Sequence, residues 1–343
     1  MRGCASCFDV SSPIDLTIVD PEEADCDFCG AHGATWLTTV WADDFSRVID
    51  IYRLARPGES GAAPMSVSLQ RDWSMFSFNA DSLIQSFISS VFGGSNPLVE
   101  GDDLFVPRFE LTGRNADQAA AWTAFVNDIT SVNRYFPGSE LDLAPLQDVI
   151  SRHLLVVPTS TIYYRARVSA DSARIMASSM GSPPVAKTRP GRANSAGIPA
   201  LYVAEDPDVA IKESRATQHS YVTLATFTTV QDFECLDLTD VHPENAFEVD
   251  DDLRAALSAS RFLTRLDFEL SRPMRNSDTF LEYVPTQYFC DYVKSTGVVA
   301  VRYQSSMSRT GNNLVIFDES VVKVRRRTVL LEVTDMVLTT VSA

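Results

Sequence analysis

Two pairs of closely spaced cysteines constrain the N-terminus more strongly than any other feature of the sequence. Cys4 and Cys7 form one C-x2-C pair, Cys26 and Cys29 form a second, and eighteen residues separate the two pairs. Each pair aims two thiolates at one point, and four thiolates complete the tetrahedral shell of a structural zinc ion. A redox role would need a thioredoxin-like strand and helix around a C-x2-C pair, and the sequence shows no such pattern. We therefore predict that the four cysteines bind structural zinc.

The overall composition is that of a globular protein with an acidic balance. Hydrophobic residues make up 45% of the 343 residues, which is sufficient for a sizeable core. The net charge of −16 argues against nucleic-acid binding, which requires a basic surface. No apolar run reaches the roughly 18 residues that a membrane span needs, and the N-terminus lacks the apolar stretch of a signal peptide. We expect a cytoplasmic protein that binds neither nucleic acid nor membrane.

The sequence changes character twice, which predicts three regions. Residues 1–36 are too few to form a core without a metal, so we predict a zinc-ribbon-like module there. Residues 37–152 carry apolar residues at helical spacing and predict a small helical domain. Residues 153–343 alternate short β-type runs with helices, which predicts a strand-rich α+β domain. The predicted fold class is therefore α+β, with the zinc-binding module and the helical domain preceding the strand-rich domain.

Local patterns predict the individual elements. Apolar residues at helical spacing predict three helices, on Phe45, Val48, Ile49 and Tyr52, on Leu83, Ile84, Phe87, Ile88 and Val91, and on Trp122, Phe125, Val126 and Ile129. We expect Asp81 or Ser82 to cap the second of these, and Asp206 followed by Pro207 to begin a later helix. Strands are predicted at 161–168, 200–204, 221–227, 298–303, 313–317 and 329–333. Helices are predicted at 253–270 and 286–294.

One segment of this acidic chain is cationic. Residues 161–220 contain eight Lys or Arg and five Asp or Glu, a local net charge of +3. An anionic ligand would favour such a segment, although a solvated surface of mixed charge would give the same count. Common catalytic motifs are absent, including the P-loop, G-x-S-x-G and H-E-x-x-H. The four histidines are scattered along the sequence, so neither a histidine-based triad nor a catalytic zinc site is expected.

Several ordered motifs of the C-terminal half resemble the RES domain family. YYRAR (163–167) resembles the first strand of the family with its arginine. GRANSAGIPALYVAEDPDVAIKES (191–214) resembles the G-R-x-N motif followed by tyrosine and glutamate. EYVPTQYFCDYV (282–293) and YQSSMSRTGNNLVIFD (303–318) resemble the C-terminal block with its serine. Because several motifs occur in order, the resemblance is more specific than any single motif, and it covers roughly residues 155–320.

The N-terminal half resembles a HEPN/RES-type N-terminal domain. The resemblance rests on the paired C-x2-C motifs and on NRYFP (133–137). HEPN domains include ribonucleases, but the R-x4-6-H motif of those enzymes is absent from a helix of this sequence. We therefore do not expect nuclease activity.

Resemblance to the RES family implies a fold, an activity and a partner. The fold would be similar to that of ADP-ribosyltransferases, and the activity would be that of a toxin that consumes NAD. The partner would be a helix-turn-helix antitoxin of the Xre type, and the sequence leaves the oligomeric state open. By motif, the implied catalytic residues are Glu213, Arg165 and Ser305, and the implied NAD-binding residues are Arg192, Tyr202, Asn194 and Ser306. The family often has tryptophan after the G-R pair, where this sequence has Ala193, a change that could widen the pocket.

The chemistry of NAD explains why these residue types would be required. Arginines hold phosphate oxygens in a bidentate fork, which suits the diphosphate. Nicotinamide leaves as a neutral molecule, so one carboxylate can suffice where glycosidases that protonate a leaving oxygen need two. Tyr202 could stack on the nicotinamide ring, and Ser305 could orient the nicotinamide or Glu213, with Ser306 as its rival.

Each of these residues also has a simpler structural interpretation. Glu213 could form a surface ion pair with Arg215 or Arg189, and Tyr202 could be an ordinary tyrosine of a strand core. The arginines could be surface charges, and Ser305 could be a turn residue at a strand end.

These observations favour an enzyme that cleaves the nicotinamide–ribose bond of NAD, as a glycohydrolase or a phosphorylase. Two alternatives stay open at this point. One is an ADP-ribosyltransferase that modifies a protein target, and the other is a non-catalytic module that senses NAD and interacts through the zinc ribbon.

Overall fold

A large mixed sheet and two smaller antiparallel sheets form the framework of the structure, which is a computed structural model. It describes residues 1–9, 19–93, 103–109, 117–139, 141, 143–239, 241, 245–249, 252–272, 280–308 and 310–335. The strands in chain order are β1 (Arg2–Gly3), β2 (Glu22–Asp25), β3 (His32–Leu37), β4 (Tyr52–Leu54), β5 (Phe105–Pro107), β6 (Leu154–Val157), β7 (Ile162–Ser169), β8 (Leu201–Ala204), β9 (Tyr221–Thr229), β10 (Phe233–Asp237), β11 (Ala300–Gln304), β12 (Asn312–Ile316), β13 (Val322–Val324) and β14 (Val329–Glu332).

Helices occur in both halves of the chain. In chain order they are α1 (Ala42–Ile49), α2 (Met65–Trp73), α3 (Asp81–Val91), α4 (Gln118–Asn127), α5 (Ala144–Arg152), α6 (Pro207–Glu213), α7 (Leu253–Ser271) and α8 (Val284–Ser295). A π-helical turn over Asp128–Val132 follows α4. Within the described ranges, no helix combines the length and the apolar character that crossing a lipid bilayer requires.

Contacts divide the chain into two compact units. The first unit comprises Met1–Ala121, Asp142–Leu146 and His242–Phe262, and the second comprises Trp122–Leu141, Gln147–Val241 and Leu263–Ala343. The predicted division into residues 1–36, 37–152 and 153–343 stays a prediction. The boundaries of the two compact units do not coincide with those of the three predicted regions. Residues 242–262, which the sequence assigned to the third region, belong to the first unit.

The core of the first unit is aromatic and begins directly beside the cysteine motif. Phe8 follows Cys7, and its ring centroid lies 5.3 Å from that of Trp41, 5.5 Å from Phe87 and 5.9 Å from Phe76. Cys7 itself is fully buried in the same hydrophobic core. Cys4, Cys7 and Phe8 therefore contribute to the hydrophobic core of the first unit.

A buried carboxylate joins two helices of the first unit. The side chain of Asp72, on α2, is 1% exposed. It accepts hydrogen bonds from the Tyr52 hydroxyl at 2.9 Å, from Arg71 at 2.8 Å and from Arg261, on α7, at 2.6 Å. Trp73 Nε1 donates to the same Tyr52 hydroxyl at 3.0 Å. Burial of a charge is costly unless it is paired, and here two guanidinium groups and a hydroxyl satisfy it.

The sheet of the second unit has the order β13-β9-β7-β8-β12-β11-β10-β6, with β14 paired to β9. Neighbouring strands are antiparallel except β10 and β11, which are parallel. Helix α6 packs Val209 and Ala210 near Ala204 of β8. The core between the strands and the turn at Met180 includes Tyr163, Leu201 and Phe227.

The structure confirms the predicted α+β class and most of the predicted elements of the second unit. All six predicted strands are present, with ends that differ by one or two residues. The Asp206 side chain accepts from the amides of Asp208 and Val209, with Pro207 in the first turn, as the sequence predicts. Periodicity missed the short strands β6, β10 and β13, whose apolar runs are too brief to form a pattern.

Two predictions in the first unit are wrong. The helix predicted to include Tyr52 ends at Ile49, and Tyr52 lies on β4 opposite Pro107. Tyr52 fits the apolar spacing of α1 only by position. Its side chain is buried on β4, where its hydroxyl donates to Asp72. Neither Asp81 nor Ser82 caps α3, because the helix begins at Asp81 and Ala80 occupies the cap position. Residues 37–152, where a small helical domain is predicted, also contain the antiparallel pair β4 and β5.

We predict that Asp72→Asn destabilises the protein by about 2–4 kcal/mol. The substitution keeps the shape of the side chain but removes the negative charge that pairs with the guanidinium groups of Arg71 and Arg261. Urea unfolding followed by circular dichroism measures the effect. Glu22→Ala is the control, because its carboxylate is 73% exposed and pairs with Arg2 at the surface, so its loss should cost less than about 1 kcal/mol. Equal stability of Asp72→Asn and the native protein would contradict the role of this carboxylate.

Candidate active site

A separation between β7 and β8 opens a cavity in the sheet of the second unit. Within the described strands, β7 pairs with β8 at Tyr164 and Ala204, whereas β7 stays paired with β9 along all of its length. Beyond the Tyr164–Ala204 pair the two strands leave a space of about 250 Å³, the first cavity. Residues of β7, β8, α6 and β12 border it, including Arg165, Tyr202 and Glu213.

Glu213 is held in the first cavity by two polar side chains. It is the last residue of α6, and its Oε1 accepts from Ser305 Oγ at 2.6 Å and from Asn313 Nδ2 at 2.8 Å. Oε2 accepts no hydrogen bond from the part of the chain that the structure describes. Both donors fix one oxygen, so the second oxygen is available to a ligand. The surface ion pair of Glu213 with Arg215 or Arg189 does not form among the described residues.

Ser305 contacts Glu213 without bordering the cavity. It follows β11 directly, is 5% exposed, and accepts from the amide of Met307 at 3.1 Å. Its own amide donates to the carbonyl of Gly311 at 2.8 Å. Ser305 therefore sits behind the carboxylate and fixes its position. Of the two rival serines, the structure brings Ser305, and not Ser306, to Glu213.

Arg165 is a partly buried cation on the wall of the cavity. Its Nη1 donates to the carbonyl of Gly181 at 3.1 Å. Burial, together with the positive charge of Arg167, lowers the pKa of Arg165 to about 10, and the charge of Glu319 opposes this shift. Arg165 forms no ion pair with any described residue. A cation that lacks a carboxylate partner in such a position would be stabilised by an anionic ligand.

A second cavity, of about 390 Å³, continues from the first. The two share Arg165, Arg167 and Tyr202 as a common wall. Lys187 and Arg189 border the second cavity alone, and no described Asp or Glu borders it. The segment that the charge count identified as cationic thus brings four cations to one cavity.

A tight loop between Arg189 and Ala200 borders the second cavity. The Tyr202 hydroxyl donates to Asn194 Oδ1 at 2.8 Å and accepts from the amide of Ala193 at 3.1 Å. Asn194 Nδ2 lies 3.1 Å from the carbonyls of Arg189, Ser195 and Ile198. Gly191 is required here, because a Cβ would lie 2.5 Å from Asn194 Oδ1 and 2.7 Å from the Tyr202 hydroxyl. Tyr202 and Asn194 therefore support the loop, and burial raises the pKa of Tyr202.

The structure brings some of the predicted site residues together and separates others. Arg165, Tyr202 and Glu213 border the first cavity, and Asn194 borders the second. Arg192 borders neither, and its Nη1 donates to the carbonyl of Leu270 at 2.5 Å. Ser306 borders neither cavity, and among the described residues it forms no hydrogen bond with Glu213.

Three residues that the sequence analysis did not select also belong to this site. Arg167 borders both cavities, Asn313 binds Glu213, and Tyr303 borders the first cavity. Alternation along YYRAR could have identified Arg167, because side chains two positions apart share one face of a strand. Asn313 gave no such signal, since its importance arises from the pairing of β12 with β8 at Asn313 and Ala204.

The four N-terminal cysteines converge in the first unit. Their sulfur atoms all lie within 4.8 Å of one another, with Cys4–Cys29 and Cys7–Cys26 at 3.3 Å and Cys4–Cys7 at 3.9 Å. Four thiolates on one metal at the usual metal–sulfur distance of about 2.3 Å would lie about 3.8 Å apart. The residues could therefore hold a metal ion.

Local hydrogen bonds favour the thiolate form of Cys26, in the second C-x2-C pair. Burial raises the pKa of Cys26, but donation from the amides of Cys29 and Phe28 and from Cys7 lowers it overall to about 7. Burial raises the pKa of Cys4 to about 11 and that of Cys7 further. One thiolate is thus favoured near neutral pH, and a cation would be needed to ionise the buried ones.

Comparisons with known proteins found a similar solved structure and a matching family model. One solved structure that resembles the chain is described as the crystal structure of the M. tuberculosis MbcT-MbcA toxin-antitoxin complex. The match has 18% sequence identity, covers 55% of this chain and 93% of the other, and has a TM-score of 0.30, which is too low to support an inference. A search of curated proteins found no match.

A family model gives the more specific result. The model described as RES domain matches residues 162–336, about half of the chain. The matched range includes Arg165, Glu213 and Ser305, and it confirms the resemblance seen in the sequence. Similarity of the N-terminal half to a HEPN/RES-type domain stays a prediction. The chain therefore belongs to the RES domain family.

Proposed function

We propose that this protein is a RES-type toxin that cleaves the nicotinamide–ribose bond of NAD and so depletes the cell of NAD. The observation that carries the proposal is the state of Glu213. Ser305 and Asn313 donate to one of its oxygens, and the other oxygen is available to a ligand. Arg165 and Arg167 border the same cavity. A carboxylate beside two cations suits a substrate with a cationic glycosidic centre and an anionic diphosphate.

The reaction needs few protein groups. The bond between the pyridinium nitrogen and ribose C1 breaks, and both electrons stay with nitrogen, so nicotinamide leaves neutral. Positive charge grows on the ribose ring, where the Glu213 carboxylate stabilises it. An oxygen of water or phosphate then bonds to C1, and its proton passes to solvent. No general acid is required for the leaving group, unlike in glycosidases with an oxygen leaving group.

Position at the cavities and hydrogen bonding suggest roles for the remaining site residues. Arg165 and Arg167 bind the diphosphate, and Ser305 positions Glu213. Tyr202 and Asn194 hold the loop that borders the second cavity, and Tyr202 offers its ring to the shared wall. Arg192 and Ser306 stay predicted NAD contacts, and Arg192 would have to exchange the Leu270 carbonyl for phosphate to act as one.

We also propose the metal, the partner and the location. The four cysteines bind zinc, because a closed set of four thiolates is typical of structural zinc sites. Family membership favours an antitoxin of the Xre type as the partner and the cytoplasm as the place of action.

The direct experiment identifies the products formed from NAD. Purified full-length protein is incubated with NAD in Tris buffer and in phosphate buffer, and the products are identified by mass spectrometry. ADP-ribose would establish hydrolysis, and ADP-ribose-1″-phosphate would establish phosphorolysis. A mass increase on a protein would favour an ADP-ribosyltransferase, and unchanged NAD would favour a non-catalytic NAD-sensing module.

We predict that Glu213→Gln lowers kcat by about 100-fold or more and changes KM much less. The reason is that positive charge on the ribose develops only in the transition state, so the carboxylate contributes little to ground-state binding. Glutamine keeps an oxygen that can accept from Ser305, which preserves local structure. Steady-state kinetics measures both constants.

Glu234→Gln is the matched control, because Glu234 lies on β10 with an exposed side chain, and its kcat should stay close to the native value. A folded Glu213→Gln protein with native kcat would refute the catalytic role of Glu213.

We predict that the protein purified without added zinc contains about one equivalent of zinc. Cys26→Ser should lose the metal and lower the unfolding temperature, because Cys7 and Phe8 connect the site to the aromatic core. Metal analysis and thermal unfolding measure these effects. Cys235→Ala is the control, since Cys235 is buried in the sheet of the second unit, and it should retain the metal. A native protein without metal, or with a disulfide among the four cysteines, would contradict the prediction.

A further inference from the structure

The second cavity carries more positive charge than a diphosphate requires. Arg165 and Arg167 form the wall that both cavities share, and Lys187 and Arg189 add two further cations that border the second cavity alone. Among the described residues, none of these four side chains forms an ion pair. In a protein with a net charge of −16, four unpaired cations around one space indicate an anionic ligand.

Lys187 and Arg189 lie on a well-anchored loop. Lys187 ends a 3-10 turn over Val185–Lys187. The buried Thr188 between them donates through Oγ1 to the carbonyl of Pro184 at 3.1 Å, and Asn194 Nδ2 donates to the carbonyl of Arg189 at 3.1 Å. Fixed backbone on both sides lowers the entropy that the two cations would lose on binding a ligand.

The arrangement of the two cavities assigns each end of a dinucleotide to a place. If Glu213 faces the nicotinamide ribose in the first cavity, Arg165 and Arg167 meet the diphosphate at the shared wall. The adenosine half then enters the larger second cavity, where Lys187 and Arg189 are located. A diphosphate carries two negative charges, which the two shared arginines already balance. Lys187 and Arg189 would remain without an anion if the ligand were NAD.

We propose that the preferred substrate is a nicotinamide dinucleotide with a phosphate monoester on its adenosine ribose, of the NADP class, bound through Lys187 and Arg189. This inference rests on the proposed function and refines its substrate. A phosphate monoester carries nearly two negative charges at neutral pH and three acceptor oxygens. Arginine binds such a group through two parallel hydrogen bonds, and lysine adds a compact charge.

The experiment compares NADP and NAD as substrates of the full-length protein and of a Lys187→Ala/Arg189→Ala variant. We expect the native kcat/KM to be at least about tenfold higher for NADP than for NAD. The double variant should lower kcat/KM for NADP at least about tenfold more than for NAD, and so remove most of the preference. Equal or lower kcat/KM for NADP in the native protein would overturn the inference.

Lys323→Ala is the matched control, because Lys323 is an exposed lysine on β13 that borders neither cavity. It should preserve the preference for NADP, and loss of the preference in this variant would show a general charge effect and overturn the assignment. Inorganic phosphate provides another arm. If added phosphate improves NAD turnover to the level of NADP, and the double variant abolishes that gain, the two cations bind free phosphate and the inference is wrong.

Binding to the Glu213→Gln protein distinguishes failure of this inference from failure of the proposed function. Calorimetry with this variant measures affinity without turnover, and tighter binding of NADP than NAD, lost on adding Lys187→Ala/Arg189→Ala, would support the inference. Binding of both dinucleotides with equal affinity would refute the inference and leave the proposed function intact. Absence of binding and of cleavage for both dinucleotides would refute the proposed function, and the inference with it.

Discussion

Burying a charged side chain costs free energy unless another group compensates the charge, and the two units contain different solutions to this cost. In the first unit, Asp72 is almost fully buried and is satisfied within the chain by Arg71, Arg261 and the Tyr52 hydroxyl. In the second unit, Arg165 is partly buried, forms no ion pair with a described residue, and has a lowered pKa. The first arrangement is complete without a ligand. The second lacks a carboxylate partner among the described residues, and we propose that an anionic ligand supplies one.

The opening between β7 and β8 provides the space in which an anionic ligand could reach Arg165. A fully paired sheet would place Ala166 and Tyr202 opposite each other and leave no space at this position, given the register of Tyr164 with Ala204. The short ladder instead leaves a cavity within the sheet, and α6 closes one side of it with Glu213 at its end. Because Ser305 directly follows β11 and Asn313 lies on the neighbouring strand β12, the sheet itself positions the carboxylate.

The cysteine cluster shows how a short motif can support a larger unit. Hydrogen bonds from the amides of Phe28 and Cys29 favour the thiolate of Cys26, which is the form that a metal binds. Cys7 and Phe8 connect the same site to the aromatic core, where Phe8 lies against Trp41, Phe76 and Phe87. A metal at the cysteines would therefore stabilise the core of the first unit, and the core would order the cysteines before the metal binds.

The sequence alone determined the features that depend on local patterns. Spacing of Cys4, Cys7, Cys26 and Cys29 predicted their convergence, because C-x2-C turns have one geometry. Asp206 and Pro207 predicted the start of α6, because a helix cap needs only neighbouring residues. Alternation and β-branched composition predicted the strands that border the cavity, and ordered motifs predicted the RES family.

Only the tertiary structure decided the contacts between distant segments. Asn313 reaches Glu213 across one hundred positions, and no local pattern encodes that pairing. The sequence left open whether Ser305 or Ser306 binds Glu213. The position of Ser305 directly after β11 directs its hydroxyl to the carboxylate. The grouping of Arg165 and Arg167 with Lys187 and Arg189 likewise depends on how the loop after β7 folds back. Strand order and strand separation arise from packing over the whole unit, and they determined which charged residues share a cavity.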